Sequence, residues 1–206
     1  MEPVDLALCL AVDVSSSVDY TEFGLMIGGY AAAFRDPAIG AAVLSGPRGA
    51  IAVAMLFWSG EREQEVAIPW TRLSSPAALE ALASAIEASP RLLFPGVTAL
   101  GEGIAAGLVL LGRCPAEAAR AVLDVSGDGR NNRGRPPGPV RDIGVAAGVT
   151  INGLAVVNEE PDLLDYYRAE VIGGPGSFAL HAVDYAAFAE AIADKLRREI
   201  AGVAVA

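Results

Sequence analysis

Residues Leu6–Ser17, LALCLAVDVSSS, join an apolar run to a polar end. The run Leu6–Val12 has the length and composition of a strand that is buried on both faces. Asp13, Ser15 and Ser17 follow at alternate positions where this strand ends. Open α/β sheets place their ligand sites at the carboxyl ends of central parallel strands. The stretch therefore predicts a central strand with oxygen ligands at its end.

Two interpretations of these polar residues remain open from the stretch alone. In a tight loop, the spacing Asp13-x-Ser15-x-Ser17 brings three oxygen atoms to one point, which suits a hard cation such as Mg²⁺. Alternatively, Ser17 or Asp19 caps the next helix, and Asp19 forms a capping box with Glu22. Other parts of the chain have to decide between a metal site and a cap.

Composition indicates one α/β domain over residues 1–206. The hydrophobic fraction is 53%, which is enough for a substantial core. No apolar run reaches the roughly 18–20 residues that a membrane-spanning helix needs. The formal net charge is −10, with 25 acidic against 15 basic residues. This balance argues against a nucleic-acid partner or an anionic membrane surface.

The two cysteines and the N-terminus say little about function. Cys9 lies within the first strand and Cys114 precedes Pro115, and neither forms a CxxC motif. Inert thiols are favoured over a disulfide. The start Met1–Asp5 has no basic region ahead of an apolar one, so it is not a signal peptide as written. The chain is cytoplasmic as written, and periplasmic or secreted if a signal peptide has been removed.

Strand and helix patterns alternate along the chain, which predicts a mostly parallel sheet with helices on both faces. The predicted strands are Leu6–Val12, Ala50–Trp58, Gln64–Trp70, Arg120–Val125, Thr150–Val157 and Phe178–Val183. The predicted helices are Tyr20–Arg35, Ser75–Ala88, Ala99–Leu111, Val140–Ala147, Pro161–Glu170 and a last helix capped by Asp184. A short loop before the third strand makes it antiparallel, and its Pro69 places it at an edge. The fold class is thus a doubly wound, Rossmann-like sheet of six strands with one antiparallel edge strand.

Strand directions bring three polar loops to one end of this sheet. The serine loop after the first strand, the loop Pro95–Thr98 and the loop Ser126–Gly129 all fall there. They carry oxygen ligands that are far apart in sequence. A shared end permits these ligands to meet, so the metal interpretation gains support over a simple cap.

The combination of Asp13-x-Ser15-x-Ser17, Thr98 and Asp128 resembles the metal-ion-dependent adhesion site of von Willebrand factor A domains. The resemblance extends from about Asp5 to Ile200. It implies that all five residues hold Mg²⁺, or Mn²⁺ or Ca²⁺, with the hydroxyls and carboxylates as ligands. It also implies that a carboxylate of a protein partner completes the coordination.

Three further segments resemble a bacterial branch of the same superfamily to which no partner is assigned. They are DVSGDGRNN at 124–132, INGLAV at 151–156 and YYRAEVIGGPGSF at 166–178. This second resemblance sharpens the expected fold and adds nothing to the expected function.

Several residues near the predicted site have open roles. Asp124 lies inside a buried strand and needs partners there. We expect it to brace the serine loop by hydrogen bonds rather than to bind the cation directly. Arg130, Arg133 and Arg135 either hold an acidic partner or belong to a solvated loop. The pair Asn131 and Asn132 is assigned to a turn.

Two functions fit the sequence. The first is a cation-dependent protein-binding module, and the second is a metal-assisted hydrolase of a phosphate or ester. The chain shows no nucleophile–base pair, Gly-x-Ser-x-Gly elbow or Walker loop, which favours a module that is not an enzyme. A third option is a structural partner domain that binds no metal. The oligomeric state is left open.

Overall fold

The first strand is the centre of a six-stranded sheet in the computed structural model, which describes residues 1–91 and 96–202. Strand order across the sheet is β3-β2-β1-β4-β5-β6, and only β3 is antiparallel to its neighbour. The strands are β1 Val4–Asp13, β2 Ile51–Trp58, β3 Gln64–Leu73, β4 Ala118–Gly127, β5 Val149–Val156 and β6 Ala179–Ala182. The predicted fold class, including the antiparallel edge strand, is confirmed.

Helices cover both faces of this sheet, as the alternating pattern predicts. Seven α-helices lie in the described residues: α1 Tyr20–Arg35, α2 Pro37–Ser45, α3 Pro76–Glu87, α4 Leu100–Leu111, α5 Pro137–Ala146, α6 Leu163–Tyr166 and α7 Phe188–Ala201. A π-helical turn, Tyr167–Val171, continues directly from α6. No helix in this described part is both long and apolar enough to cross a membrane.

Strand β1 divides its side chains between two apolar layers. Leu6, Leu8, Leu10 and Val12 pack in the layer that contains α1, α3 and α7. The smaller Ala7, Cys9 and Ala11 face the other layer, which contains α4 and α5. Because successive residues of a strand point to opposite faces, β1 is buried on both sides. This burial fixes the position of its polar end.

The register of β1 and β4 sets the location of the site. Val12 pairs with Ser126 in parallel, so Asp13 ends β1 at the level where Gly127 ends β4. Asp128 follows immediately. The carboxyl ends of two neighbouring central strands therefore deliver both carboxylates to one edge of the sheet, as predicted.

Several helix boundaries differ from the prediction. Helix α5 begins at Pro137, three residues before the predicted Val140, because proline suits the first turn of a helix. Asp36-Pro37 ends α1 but also begins α2, because the Asp36 side chain accepts a hydrogen bond from the Ala38 amide at 2.8 Å. The predicted helix Pro161–Glu170 is a short α-helix followed by the π-helical turn. Asp184 accepts from the Ala187 amide at 2.8 Å, and α7 begins only after this turn.

The edge strand β3 is irregular. Its pairing with β2 shifts register between Val53 and Leu56, and it contains Pro69, which has no amide hydrogen to donate.

Trp58, the last residue of β2, is buried in the core, and Cys9 and Cys114 are free thiols. Pro95, from the predicted loop Pro95–Thr98, lies outside the described residues.

Candidate metal site

The structure brings the five predicted ligand residues together at the carboxyl end of the sheet. Hydrogen bonds connect four of them in a chain. Thr98 Oγ1 donates to Ser15 Oγ at 3.4 Å, Ser15 Oγ and Ser17 Oγ are 3.1 Å apart, and Ser17 Oγ donates to Asp128 Oδ1 at 2.7 Å. Asp13 Oδ1 joins the cluster by accepting from the Ser15 amide at 2.8 Å. Three loops from distant parts of the chain thus share one polar cluster.

The helix cap and the cluster of possible metal ligands do not exclude each other in the serine loop. Asp19, and not Ser17, caps α1, and it forms the predicted capping box with Glu22 through two bonds of 2.8 Å. The Ser17 hydroxyl therefore faces Asp128 rather than the helix. The helix cap fixes where the loop ends and leaves the hydroxyls to the cluster.

Arg91 binds the backbone of the serine loop. Its Nη2 donates to the carbonyl oxygens of Val14 and Ser15, both at 2.8 Å. Its guanidinium also lies 5.4 Å from the centre of the Tyr20 ring, within range of a cation–π contact. This role is not predictable from the sequence, because Arg91 is 76 residues from Ser15 and stands in no motif.

The two asparagines of the DGRNN segment position the Thr98 loop. Asn132 Oδ1 accepts from the Thr98 amide at 3.0 Å, and the Asn132 amide donates to the Thr98 carbonyl at 2.9 Å. Asn131 Oδ1 accepts from the Gly101 amide at 3.2 Å, in the first turn of α4. The predicted turn residues are therefore a clamp between two of the three site loops.

Burial and mutual repulsion disfavour two charged carboxylates in this cluster. Asp13 is fully buried, and burial together with nearby Asp128 raises the pKa of Asp13 to about 8. Burial also raises the pKa of Asp128, against the opposing hydrogen bond from Ser17. A divalent cation would stabilise the charged form of both groups.

The donor set fits a hard divalent cation. Asp13 Oδ2 is buried and accepts no hydrogen bond from the described residues, and the Asp128 carboxylate is approached only by the Ser17 and Tyr185 hydroxyls among the described side chains. Three neutral hydroxyls lie beside them, and only oxygen donors are present, as Mg²⁺, Mn²⁺ and Ca²⁺ prefer. No group of three or more His, Cys, Asp or Glu side chains suited to a metal occurs in the described part of the chain. The hydroxyls are therefore essential to this interpretation.

Two tyrosines at the site were not anticipated from the sequence. The Tyr167 hydroxyl is buried and has no hydrogen-bond partner among the described residues. The Tyr185 hydroxyl lies close enough to the Asp128 carboxylate for a hydrogen bond to contribute to the pKa of both groups. Burial is the main cause that raises the pKa of each phenol, and Asp13 and Asp128 both add to it. Both aromatic residues had the appearance of ordinary core positions.

The expectation that Asp124 braces the serine loop is wrong. Asp124 Oδ2 forms a salt bridge of 2.6 Å with Nζ of Lys195, on α7, and both side chains are fully buried. Lys195 also donates to Glu199 Oε1 at 2.8 Å, which accepts from Asn152 Nδ2 at 2.8 Å. The carboxylate in mid-strand points to the helix layer on α7, since side-chain direction alternates along β4.

Two of the three arginines that follow Asp128 are bound within the chain. Arg130 forms salt bridges with Glu160 at 2.9 Å and Asp162 at 2.6 Å. Arg135 forms one with Glu102 at 2.9 Å. Arg133 is exposed. These contacts favour a role in ordering the loop over a role in holding an acidic partner.

Comparison with known proteins agrees with the fold. A family profile described as "Protein of unknown function (DUF1194)" matches residues 3–204. The chain belongs to the DUF1194 family. A search of curated proteins gave no match.

Solved structures with the same fold include von Willebrand factor A domains, which confirms the resemblance seen in the sequence. Proximal thread matrix protein 1 from the mussel byssus, with a zinc-occupied MIDAS motif, has 16% identity and a TM-score of 0.63, covering 97% of this chain and 48% of that one. A von Willebrand factor type A protein from Catenulispora acidiphila has 18% identity and a TM-score of 0.60, covering 97% and 42%.

A third structure is the pilus adhesin SpaC from Lactobacillus rhamnosus GG, with 14% identity and a TM-score of 0.68, covering 98% of this chain and 30% of SpaC. The chain spans about half or less of the length of these three structures. At these identities the similarity shows the fold.

Proposed function

We propose that this chain is a divalent-cation-dependent protein-binding module. Asp13, Ser15, Ser17, Thr98 and Asp128 hold the cation, and a carboxylate of the partner protein completes its coordination. The observation that carries the proposal is the polar cluster itself, in which hydroxyls from two loops connect to the Asp128 carboxylate while the buried Asp13 Oδ2 lacks a partner. Burying a carboxylate oxygen without a hydrogen bond costs folding free energy, and a bound cation would offset that cost.

An incomplete coordination shell explains why an acidic partner group is captured. Two carboxylates and three neutral hydroxyls leave a divalent ion short of ligands, because such ions take six or more oxygen donors. When bound, the cation supplies a strong attraction for one further oxygen anion, and this attraction is large in a partly dry site. The surrounding chain carries a net charge of −10 and has no such attraction by itself.

Exposed apolar side chains beside the site favour a protein partner. Tyr20 follows the serine loop and is 77% exposed, Val97 precedes Thr98 and is 40% exposed, and Val183 follows β6 and is 61% exposed. Aromatic and aliphatic side chains around a polar centre are typical of protein–protein contacts. The presence of a matrix protein and a pilus adhesin among the structural neighbours agrees with binding rather than hydrolysis.

Calorimetric titration with Mg²⁺, Mn²⁺ and Ca²⁺ tests the metal site. The wild-type chain is expected to bind at least one of these ions, and Asp13→Ala is expected to lose binding. Asp165→Ala is the matched control, because Asp165 is an exposed acidic residue on α6 whose salt bridge is with Arg168. Equal binding by wild type and Asp13→Ala would contradict the proposed ligand set.

Affinity capture with and without chelator tests the partner. A protein retained by immobilised wild type in Mg²⁺, released by chelator and not retained by Asp13→Ala, is expected. Replacing acidic residues of that protein with their amides should then abolish retention. In parallel, turnover of a phosphoester panel in Mg²⁺ or Mn²⁺ that disappears in Asp13→Ala would support the hydrolase instead.

A further inference from the structure

Tyr167 lies across β4 and β5 with its hydroxyl directed to the metal site. A Cβ placed on Gly153 of β5 would be 2.6 Å from Tyr167 Cδ1, so the ring rests directly on the backbone of that glycine. A Cβ placed on Gly127 of β4 would be 2.9 Å from the Tyr167 hydroxyl. Two glycines therefore form the slot in which the ring lies.

The end of this slot is the Asp13 carboxylate. The same Cβ placed on Gly127 would be 2.8 Å from Asp13 Oδ2, so this oxygen and the Tyr167 hydroxyl border one small space. Both atoms are buried, and neither has a hydrogen-bond partner among the described residues. A buried phenol without a partner, placed beside a buried carboxylate oxygen without a partner, calls for an explanation beyond packing.

Local backbone geometry directs Tyr167 to this position. It is the first residue of the π-helical turn Tyr167–Val171, in which the Ile172 amide donates to the Tyr167 carbonyl at 3.0 Å. Single π-helical turns are rare and occur often at functional sites. The neighbouring Tyr166 points elsewhere, because its hydroxyl accepts from the Asn131 amide at 3.3 Å and Arg130 stacks on its ring.

We propose that Tyr167 is a positioning residue of the metal site, whose phenol donates a hydrogen bond to the Asp13 carboxylate when the cation is bound. This inference rests on the proposed function. It gives one shared role to three residues, one from each segment that resembles the bacterial branch, and none of the three is a residue of the metal motif. DVSGDGRNN supplies Gly127, INGLAV supplies Gly153, and YYRAEVIGGPGSF supplies Tyr167.

The test compares Tyr167→Phe with Tyr166→Phe, which removes the same hydroxyl from the adjacent residue. Metal affinity is measured by calorimetric titration with Mg²⁺ and Mn²⁺. Loss of a hydrogen bond to a metal ligand typically lowers affinity about 10–100-fold, and this loss is expected for Tyr167→Phe. Tyr166→Phe is expected to bind the ions as wild type does.

A thermal melt without metal separates positioning from packing. Removing a buried hydroxyl that lacks a partner should leave the metal-free Tm unchanged or raise it. The rise in Tm on adding metal should shrink in Tyr167→Phe, because tighter binding to the native state gives a larger rise. A purely structural phenol would lower both melts together.

Each remaining outcome overturns a defined claim. If wild type binds the ions and Tyr167→Phe binds them equally well, the role of Tyr167 is wrong and the metal site stands. If wild type binds none of the ions, the proposed function fails and the role of Tyr167 fails with it. A lower metal-free Tm for Tyr167→Phe, with unchanged affinity, would assign the hydroxyl to stability alone.

Discussion

Gly127 shows how one missing side chain makes room for the site. Its position at the end of β4 faces Asp13 Oδ2 and the Tyr167 hydroxyl, both within 3.0 Å of where a Cβ would lie. A methyl group there has to displace a carboxylate, a buried ring or both. Sequence reasoning treats this glycine as part of a turn, since nothing in the local pattern reveals what approaches it from β1 and from the π-helical turn.

We expect Gly127→Ala to weaken both stability and metal binding. Overpacking of this kind costs about 1–3 kcal/mol, and the displaced carboxylate should lose affinity for Mg²⁺. Gly28→Ala is the control, because Gly28 is exposed on α1 and a Cβ there would meet no atom within 4 Å. It should stabilise by about 0.5–1 kcal/mol through helix propensity. Urea unfolding and calorimetric titration of both variants measure these effects, and a neutral Gly127→Ala would contradict the crowding.

The clustering of the five proposed ligand residues was predictable because each stands in a recognisable local pattern at the end of a strand or loop. Arg91, Asn132 and Tyr167 were not predicted in their site roles. Their partners are 77, 34 and more than a hundred residues away, and their residue types suit a solvated surface, a turn and a core equally well. Only the packed structure distinguishes these uses.

Among the elements, α7 is attached to the sheet by an internal salt bridge as well as by apolar packing. Lys195 is the only lysine in the chain, and its ammonium group lies between Asp124 of β4 and Glu199 one turn later on α7. All three side chains are buried. Transferring charges from water into the core is costly. Removing one member of a buried ionic group is therefore more destabilising than replacing the whole group by apolar residues.

We expect Lys195→Met to destabilise the fold by about 3–5 kcal/mol, because two buried carboxyl groups lose their cation while the apolar volume is kept. Arg197→Met provides the comparison on the same helix, since Arg197 is about half exposed and lies 3.9 Å from Asp194. Its cost should be below about 1 kcal/mol. Chemical denaturation of both variants would show the difference, and equal costs would mean that the buried lysine contributes no more than a surface one.

Prediction of the elements succeeded where periodicity was long and failed where a boundary depended on tertiary contacts. The sixteen-residue α1 was predicted residue for residue. Helix α2 was missed, because Asp36-Pro37 carries the signals for stopping one helix and for starting another. The final helix was placed three residues early, since Tyr185 continues the apolar spacing of α7 although its backbone is still in a turn.

At the scale of the whole molecule, we expect protonation of Glu199 to contribute to the pH dependence of stability. Burial and the nearby Asp124 raise the pKa of Glu199 to about 8, against the opposing effect of Lys195. Between the unfolded value of about 4.3 and about 8, only the folded state keeps this proton. Stability is therefore full below this window and falls as pH rises through it.

We expect Glu199→Gln to reduce this fall. Glu199 Oε1 accepts both hydrogen bonds of the group and Oε2 accepts none, so an amide can keep both bonds. The free energy of unfolding is measured in urea at pH 5 and pH 8 without metal. The wild type should lose more than the variant, by at most about 1.4 kcal/mol per pH unit. The raised pKa of Asp13 also lowers stability as pH rises, and it does so in the wild type and in Glu199→Gln alike. The difference in stability loss between the two proteins is therefore due to Glu199. Equal losses would rule out a proton held at Glu199.

The irregular outer strand affects how one copy of the molecule meets another. A regular exposed strand offers a row of amide and carbonyl groups on which a second chain can extend the sheet, and this is a common route to aggregation. Here β3 interrupts that row with Pro69 and a register shift, and the opposite border is formed by β6, which is only four residues long. Both borders are thereby poor templates for fibril growth, so crowding many copies side by side carries little risk of uncontrolled strand exchange.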